Sequence, residues 1–585
     1  MLYPAFFNSV SRRRPSFSAH FISSRLLVAL LTFLAVLEAR GQTQHTAESS
    51  RNMVASVNPI ATAAGVSAFE QGGNAVDAAI ATALTLGVVD GFNSGIGGGC
   101  FVLIRTAEGD VVAIDGREMA PAAAHRDMYL HDGKADGSLS RVGALASGVP
   151  GALKAYSEAV SNYGKLAFSS LILEAAEVAE NGFQVDRVYS SRLRSTRKYL
   201  QQFPGSVTAL LKPDGSIYEP GEVLRQPDLA ETYRQIAKCG TNWFYGGEFA
   251  KQTADWMKSN GGILTVDDFK NYRTVRREPV RTTYRGYDIY GFPPPSSGGV
   301  HVAQILNILE FFDLQELQEK DPAKMRHVVA EAMKLAFADR AYWLGDPDYV
   351  QVPKGLINKS YAKQLAAKID VNKVTPVMSH GSPPLKEGDF SKKHTTHVTA
   401  ADADGNWVAI TTTVNTTFGS KVIVPGLGVV MNNQMDDFSI APGVPNAFGL
   451  VGGENNAVAA GKRPLSSMSP TIVLLDGRPV LTLGAAGGPT IITQVVWGLI
   501  NHLDLGYSVG DALAAPRLHH QWSPDRLVIE TALDQKQVAE LQQRGHDISS
   551  RRGIGVTQAI GWDPKSGRFT GSHDPRVPGK AAGQR

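Results

Sequence analysis

Only two cysteines, Cys100 and Cys239, occur in the 585 residues. That excludes a thiolate zinc cluster, an iron–sulfur site and a disulfide framework, and leaves room for one bridge at most. Charge is also sparse. Charged residues make up 19% of the chain, and 58 Lys plus Arg against 55 Asp plus Glu leave a formal net charge of +3. Such a balance offers no field for nucleic acid or anionic lipid, and no nucleic-acid partner is expected. With 43% hydrophobic residues the chain is no highly charged disordered polymer either. Long apolar runs are missing apart from residues 26–37, LLVALLTFLAVL, which fall short of the roughly 20 residues of a membrane span. That run follows Arg12, Arg13, Arg14 and Arg25 and precedes a small-x-small site at Ala39 and Gly41, the order of a secretory leader. The expectation is a signal peptide over residues 1–41 and a periplasmic or secreted mature chain from Gln42, with an uncleaved membrane anchor as the alternative.

Several catalytic signatures are absent as well: there is no GxSxG, no HExxH and no complete GxGxxG. The run GENNAVAAGKR has a P-loop look around Gly461 and Lys462. However, Asn456 stands where glycine is required and Arg463 where a Ser or Thr would hold magnesium, so a polar loop is expected. The pairs His519-His520 and His394/His397 have no carboxylate or cysteine at ligand spacing and read as structural histidines; no metal and no cofactor is expected.

Glycine, by contrast, is plentiful at 59 residues, which implies many positions of positive φ or close backbone approach. Between Asn58 and Leu86 small and apolar residues recur around Gly72 and Gly73, as tightly packed helices do. Residues 101–104 and 111–114 predict a hairpin, residues 152–181 and 325–342 carry helical periodicity, and residues 396–400 and 407–414 flank a second hairpin signal, Asp402-Ala403-Asp404-Gly405. Residues 375–394, TPVMSHGSPPLKEGDFSKKH, have no period and are expected to be a mobile surface connection. After them come five polar runs separated by β-patterned segments: HTTH from His394, NTTFG from Asn415, NNQMDDF from Asn432, PLSSMSP from Pro464 and GAAGGP from Gly484. Each could be an ordinary turn or cap. Alternation with strands would set their polar ends on one rim of a sheet.

Read together, these runs resemble the γ-glutamyltransferases of the N-terminal nucleophile hydrolase superfamily. The resemblance spans nearly all of the chain after the leader, through MVASVNPIATAAG from Met53, QGGNAVDAA from Gln71, the glycine run from Gly95, DGREMAP from Asp115, PPPSSGGVH from Pro293, ADRAYWLGDPD from Ala338, TTHVT, VNTTFGS, NNQMDDFS, GKRPLSSMSPT, GAAGGP and APRLHHQW from Ala515. It implies an α+β fold, a four-layer αββα sandwich. It also implies a precursor that cleaves itself between His394 and Thr395 into a large subunit (42–394) and a small catalytic subunit (395–585).

The chemistry can be built from the residues. A threonine hydroxyl alone is a poor nucleophile, but at a chain start it carries its own α-amine, with an unperturbed pKa of about 7.7–8.0, as a base. Thr395 is therefore the expected nucleophile, and the resemblance assigns a supporting hydroxyl to Thr413. Gly487 and Gly488 would offer bare backbone N–H groups to the oxyanion, each worth about 3–4 kcal/mol in the transition state; a plain turn before Pro489 would use glycine equally well. A glutamyl head requires recognition of an α-carboxylate, for which Arg117 offers a planar fork with Ser466 and Ser467 as neutral donors. An ion pair on the surface with Glu118 is the ordinary alternative for Arg117. The α-ammonium would take Asp437 as counter-ion, with Asn415 and Gln434 completing its hydrogen bonds, while Asp436 reads as structural.

From the resemblance, glutathione and other γ-glutamyl compounds are the donors, and water, amino acids or dipeptides the acceptors. A glutaryl-type cephalosporin acylase is the alternative within the superfamily. It would leave Asp437 facing nothing, and a buried unpaired carboxylate is costly. A non-catalytic binding protein would have no use for the retained nucleophile and donors. Residues 438–449 correspond to a lid loop in many bacterial relatives, where a tyrosine is common; Phe448 keeps the ring and loses the phenolic hydrogen bond. Weaker lid closure and a larger share of hydrolysis are the expectation.

Overall fold

The computed structural model describes residues 45–384, 396–441 and 443–584. The expected leader over residues 1–41 and the expected cleavage pair His394 and Thr395 lie outside them.

Two seven-stranded sheets form the centre. One runs in the spatial order Lys580–Ala582, Asn52–Ser56, Thr396–Asp402, Trp407–Thr413, Gly99–Arg105, Val111–Gly116, Val275–Arg277. The other runs Thr46–Ser49, Arg568–His573, Val556–Asp563, Arg478–Ala486, Thr471–Leu475, Tyr287–Gly291, Val280–Tyr284. All pairs within the two are antiparallel. Both sheets combine strands that precede residue 394 with strands that follow it.

The strand sequences dictate the layering. In Trp407–Thr413 the side chains of Trp407 and Ala409 enter the core between the sheets, while Val408 and Ile410 enter the core beneath the helices. Gly99–Arg105 divides likewise, Phe101 and Leu103 inward and Cys100, Val102 and Ile104 toward the helices. This is the period of two of a pleated strand, with both faces apolar because both are covered. Helices Pro59–Glu70, Ala75–Val89 and Ala152–Tyr163 cover one sheet, and Ser297–Leu309, Pro322–Trp343 and Thr490–Leu499 the other. The result is the expected αββα sandwich.

The first two helices show why small residues recur there. Ala75–Val89 starts in a capping box of Asn74 and Asp77, and all its residues are buried. Pro59–Glu70 lies so close that a Cβ on Gly65 would fall 2.3 Å from Thr82 Oγ1. The predicted hairpins and helices appear at Gly99–Arg105 with Val111–Gly116, at Thr396–Asp402 with Trp407–Thr413, and at Ala152–Tyr163, Phe168–Asn181 and Pro322–Trp343.

Residues 375–384 depart from expectation, for they are anchored rather than loose. Glu331 Oε2 accepts from the Thr375 amide at 2.9 Å, Trp522 Nε1 donates to the Val377 carbonyl at 2.8 Å, and the Gly381 amide donates to Asp339 Oδ1 at 2.7 Å. His380 stacks on Tyr342. Missing periodicity says that a segment is neither helix nor strand; it does not say that its polar groups lack partners. Cys100 is buried and Cys239 exposed, and neither is in a disulfide. No helix among the described residues is long and apolar enough to cross a membrane.

Candidate active site

Arg117 follows the strand Val111–Gly116, Asn415 follows Trp407–Thr413, Gly487 follows Arg478–Ala486, and Ser466 and Ser467 precede Thr471–Leu475. Antiparallel pairing puts these strand ends at one rim: Thr413 pairs with Gly99, Cys100 with Gly116, and Thr471 with Leu483. Thr396, next to the expected nucleophile, pairs with Thr412 at the same end and donates from Oγ1 to Asp90 Oδ2 at 2.9 Å.

Arg117 is completely buried, which removes the surface alternative. Its Nη1 donates to Glu118 Oε2 at 2.9 Å, its Nη2 to Asp437 Oδ2 at 2.7 Å and its Nε to the Pro464 carbonyl at 3.3 Å. Gln434 Nε2 adds a 3.1 Å bond to the same Asp437 oxygen. Asp437 thus sits in a short helical turn, Gln434–Asp437, with Gln434 and Arg117 both aimed at its carboxylate.

Asn415 has a positive φ of 79°, a left-handed conformation that asparagine tolerates better than most residues. Its amide donates to Thr413 Oγ1 at 2.7 Å and its Nδ2 to the Asn433 carbonyl at 2.9 Å. Thr413 therefore caps the strand end and fixes Asn415. The carbonyl oxygens Asn415 Oδ1 and Gln434 Oε1 are both buried and have no hydrogen-bond partner among the described residues. Gln434 also bonds the Asp437 carboxylate, and Asn415 is tied to the adjoining Asn433; unpaired acceptors on such a segment suit a cation that donates several hydrogen bonds.

Gly487 and Gly488 have φ of 139° and 66°, backbone that favours glycine. A Cβ on Gly488 would fall 2.8 Å from Phe448 Cδ1, so the lid ring rests on bare backbone. Neither amide has a protein acceptor among the described residues. The lid is tied down beside the site: Asp436 Oδ2 accepts from the Ala447 amide at 2.9 Å, while Oδ1 accepts from Ser140 Oγ at 2.7 Å and Arg141 Nε at 3.2 Å. The expected structural part of Asp436 is thus specific, a link between the lid and residues 140–141.

Ser466 and Ser467 are fully buried. Ser467 meets a cation that sequence reasoning missed, Arg340, whose Nη2 donates to Ser467 Oγ at 3.2 Å and whose Nε donates to Ser297 Oγ at 3.0 Å. Burial lowers this guanidinium to about 10, and the charge of Asp437 opposes the shift. Arg340 and Asp437 line one cleft with Phe438, Asn446 and Asn456. Asp90 was missed too; burial lifts its carboxyl to about 7 against the bonds from Thr396 and Asn93. The motifs ADRAYWLGDPD and PPPSSGGVH carried the signal for Arg340 and Ser297, but an arginine inside a helix has no pattern that marks it as buried.

The remaining polar motifs have local partners. Lys462 Nζ donates to the carbonyls of Asn455 and Ala457, each at 2.9 Å, so GENNAVAAGKR is a self-tied polar loop. His397 packs by Thr411, and His519 by Thr493 and Gln521.

A four-layer sandwich whose second half opens on a central strand at a polar rim, with bare glycine backbone at the same rim, defines the N-terminal nucleophile hydrolase class. A sequence profile described as Gamma-glutamyltranspeptidase matches residues 61–584, and the chain belongs to that family. It is 43% identical over 534 residues to a glutathione hydrolase proenzyme of Escherichia coli (strain K12), which covers 91% of each chain. It is 38% identical over 536 residues to an acylase ACY 1 proenzyme of Pseudomonas sp. (strain SE83), covering 90% of this chain and 92% of that one. Among solved structures, a cephalosporin acylase from Bacillus halodurans superposes with a TM-score of 0.82 at 28% identity, over 93% of this chain and 98% of the other.

Proposed function

We propose that this protein is a γ-glutamyltransferase and glutathione hydrolase, made as a precursor that cleaves itself between His394 and Thr395. In the precursor the Thr395 hydroxyl attacks the His394 carbonyl, and water resolves the resulting ester. The new α-amine of Thr395 then takes the proton from its own hydroxyl as that oxygen attacks the γ-carbonyl of the donor. The amides of Gly487 and Gly488 receive the developing oxyanion. Collapse expels the donor's amine, which leaves with the transferred proton. Water releases glutamate from the γ-glutamyl ester, or an amino acid or dipeptide carries the acyl group away. Residues 1–41 export the chain to the periplasm or beyond, and the two fragments stay together as one heterodimer.

The observation that carries this reading is the pair of unpaired carbonyl oxygens, Gln434 Oε1 on the residue that bonds Asp437 and Asn415 Oδ1 on the residue tied to the adjoining Asn433. An α-ammonium supplies three donors and one positive charge to that place. A glutaryl group brings neither. The acylase reading has support of its own in the relatives at 38% identity and in the fold match, so the deciding experiment compares donors. Purified protein should run as two fragments on a denaturing gel, and Thr395→Ala as a single chain. A γ-glutamyl anilide should be cleaved at least about 100-fold more efficiently than the matching glutaryl anilide, the worth of an ammonium held by charged hydrogen bonds. Equal rates would favour the acylase, and an unprocessed wild-type chain would remove Thr395 as nucleophile.

A further inference from the structure

Away from the glutamyl site, the helix Pro322–Trp343 carries His327 and Glu331 one turn apart, and His546 reaches the same point from the turn after the helix Gln535–Gln543. One donor atom from each of the three lies within 4.8 Å of the other two, and all three side chains are buried.

Their hydrogen bonds fix which atoms are free to bind. His327 Nε2 stands 2.8 Å from the Asp370 carbonyl, which can only accept, so Nε2 carries the proton of the neutral ring and Nδ1 keeps its lone pair. That lone pair meets His546 Nε2 at 2.8 Å. Glu331 is oriented by the Thr375 amide, which donates to Oε2 at 2.9 Å. A metal takes each imidazole as the neutral ring, through the nitrogen that keeps its lone pair. The backbone carbonyl behind His327 is the outer partner that commonly orients a metal-binding imidazole. A third imidazole, His520, is already committed: its Nδ1 accepts from the Trp522 amide at 3.1 Å and its Nε2 faces Asp525 Oδ1 at 3.1 Å.

We propose that His327 Nδ1, His546 Nε2 and the Glu331 carboxylate form a binding site for a divalent transition-metal ion of the zinc type. Two imidazoles and one carboxylate are a donor set that zinc accepts in tetrahedral geometry. Zinc–nitrogen bonds of about 2.0–2.1 Å place two nitrogens roughly 3.3 Å apart, so the rings separate by about half an ångström. His546 passes its proton from Nε2 to Nδ1, and no net proton is lost. The cation that competes for Glu331 is Lys334, whose Nζ lies 2.7 Å from Oε1. The sequence hid the site because His546 lies 219 positions from His327. Since His327 and Glu331 precede residue 394 and His546 follows it, the ion would also clasp the two chains of the cleaved protein. That consequence rests on the proposed cleavage; the binding does not.

The test uses tag-free, chelator-stripped protein titrated with zinc chloride alone by calorimetry and with cobalt chloride by absorption. The wild type should bind one equivalent with a Kd of about 1 µM or tighter, give the intense visible bands of tetrahedral cobalt, and gain about 3–5 °C in Tm with excess zinc. His546→Gln and Glu331→Gln should each weaken binding by at least about 10-fold, and Lys334→Met should tighten it by removing the competing charge. Absence of saturable binding by the wild type, or binding unchanged in His546→Gln, would show a metal-free pair of imidazoles and overturn the proposal. If a variant fails to fold, the wild-type titration decides, because failure to bind one equivalent of zinc or cobalt saturably overturns the proposal.

Discussion

Arg117 and Asp437, 320 residues apart in the chain, form a fully buried ion pair of 2.7 Å, so the two charges assigned to opposite ends of a substrate zwitterion already hold each other. Neither charge is solvated; removal of Asp437 leaves Arg117 its Glu118 partner but costs it a charged hydrogen bond, whereas removal of Arg117 takes the cation from both carboxylates. Asp437→Asn should therefore lower both stability and activity, by separable routes. The kcat/KM for a γ-glutamyl donor should fall at least about 100-fold, more than for a glutaryl donor. Adding Arg117→Gln should lower Tm further, because the buried Glu118 then loses its cationic partner, and should restore none of the activity. Calorimetry with donor kinetics on both variants checks this, and equal losses on the two donors would place Asp437 in structure alone.

Asp436 reaches the reaction only through the lid. Its carboxylate receives Ala447, Ser140 and Arg141, so Asp436→Ala frees the loop without touching Asp437. The expected result is faster amide exchange across residues 444–449 and a donor KM raised by about 3–10-fold, the worth of one or two hydrogen bonds. Hydrogen exchange read by mass spectrometry, together with initial rates, tests it. Unchanged exchange would mean that Gln521, which donates to the Gly449 carbonyl at 3.1 Å, holds the lid by itself.

Phe448 contributes a ring over Gly488 and no hydroxyl. Phe448→Tyr should shift products from hydrolysis toward transfer, by about 2–10-fold if the phenol gains one hydrogen bond. The ratio of free glutamate to γ-glutamyl dipeptide at fixed acceptor concentration reads this directly, and a constant ratio would remove the lid hydroxyl from the account.

Asp90 supplies the pH dependence. Burial is the main cause that raises its carboxyl from 3.8 to about 7, with Asp186 adding to it and the Thr396 and Asn93 bonds opposing it. A raised folded value means that the folded state holds the proton more tightly than the unfolded chain. The stabilisation is then complete below pH 3.8 and is lost as pH rises through about 7. Asp90→Asn keeps a neutral side chain at all pH values. It should match the wild-type Tm near pH 4 and exceed it near pH 8. A Tm difference that is independent of pH would contradict the raised value.

Much of the architecture was legible because strands such as Trp407–Thr413 alternate strictly between two apolar faces, and because glycines and small residues mark where Pro59–Glu70 meets Ala75–Val89. The candidate site was legible where polar residues cluster in short runs, as in NNQMDDF. It was not legible where a polar group hides in a regular helix. Arg340 and His327 lie on Pro322–Trp343 amid apolar neighbours, and their partners come from distant segments. Periodicity records which face is buried, and it is silent on what a buried polar side chain meets there. The anchoring of residues 375–384 was hidden for a related reason, since Trp522 and Asp339 supply its bonds from other elements.

The mixing of strands from the two sides of residue 394 within each sheet makes the proposed cleavage a one-way event. Thr396–Asp402 pairs with Asn52–Ser56, Trp407–Thr413 pairs with Gly99–Arg105, and Thr471–Leu475 pairs with Tyr287–Gly291. Each half supplies internal strands of the other's sheets, so neither has a complete hydrophobic core by itself. Two such chains are a knitted fabric rather than docked subunits. They would not exchange partners between molecules, dilution would not part them, and an active protein could not be rebuilt by mixing its separately folded halves. On the proposed cleavage, Thr395 would be unmasked only after the whole sandwich has folded once as a single chain.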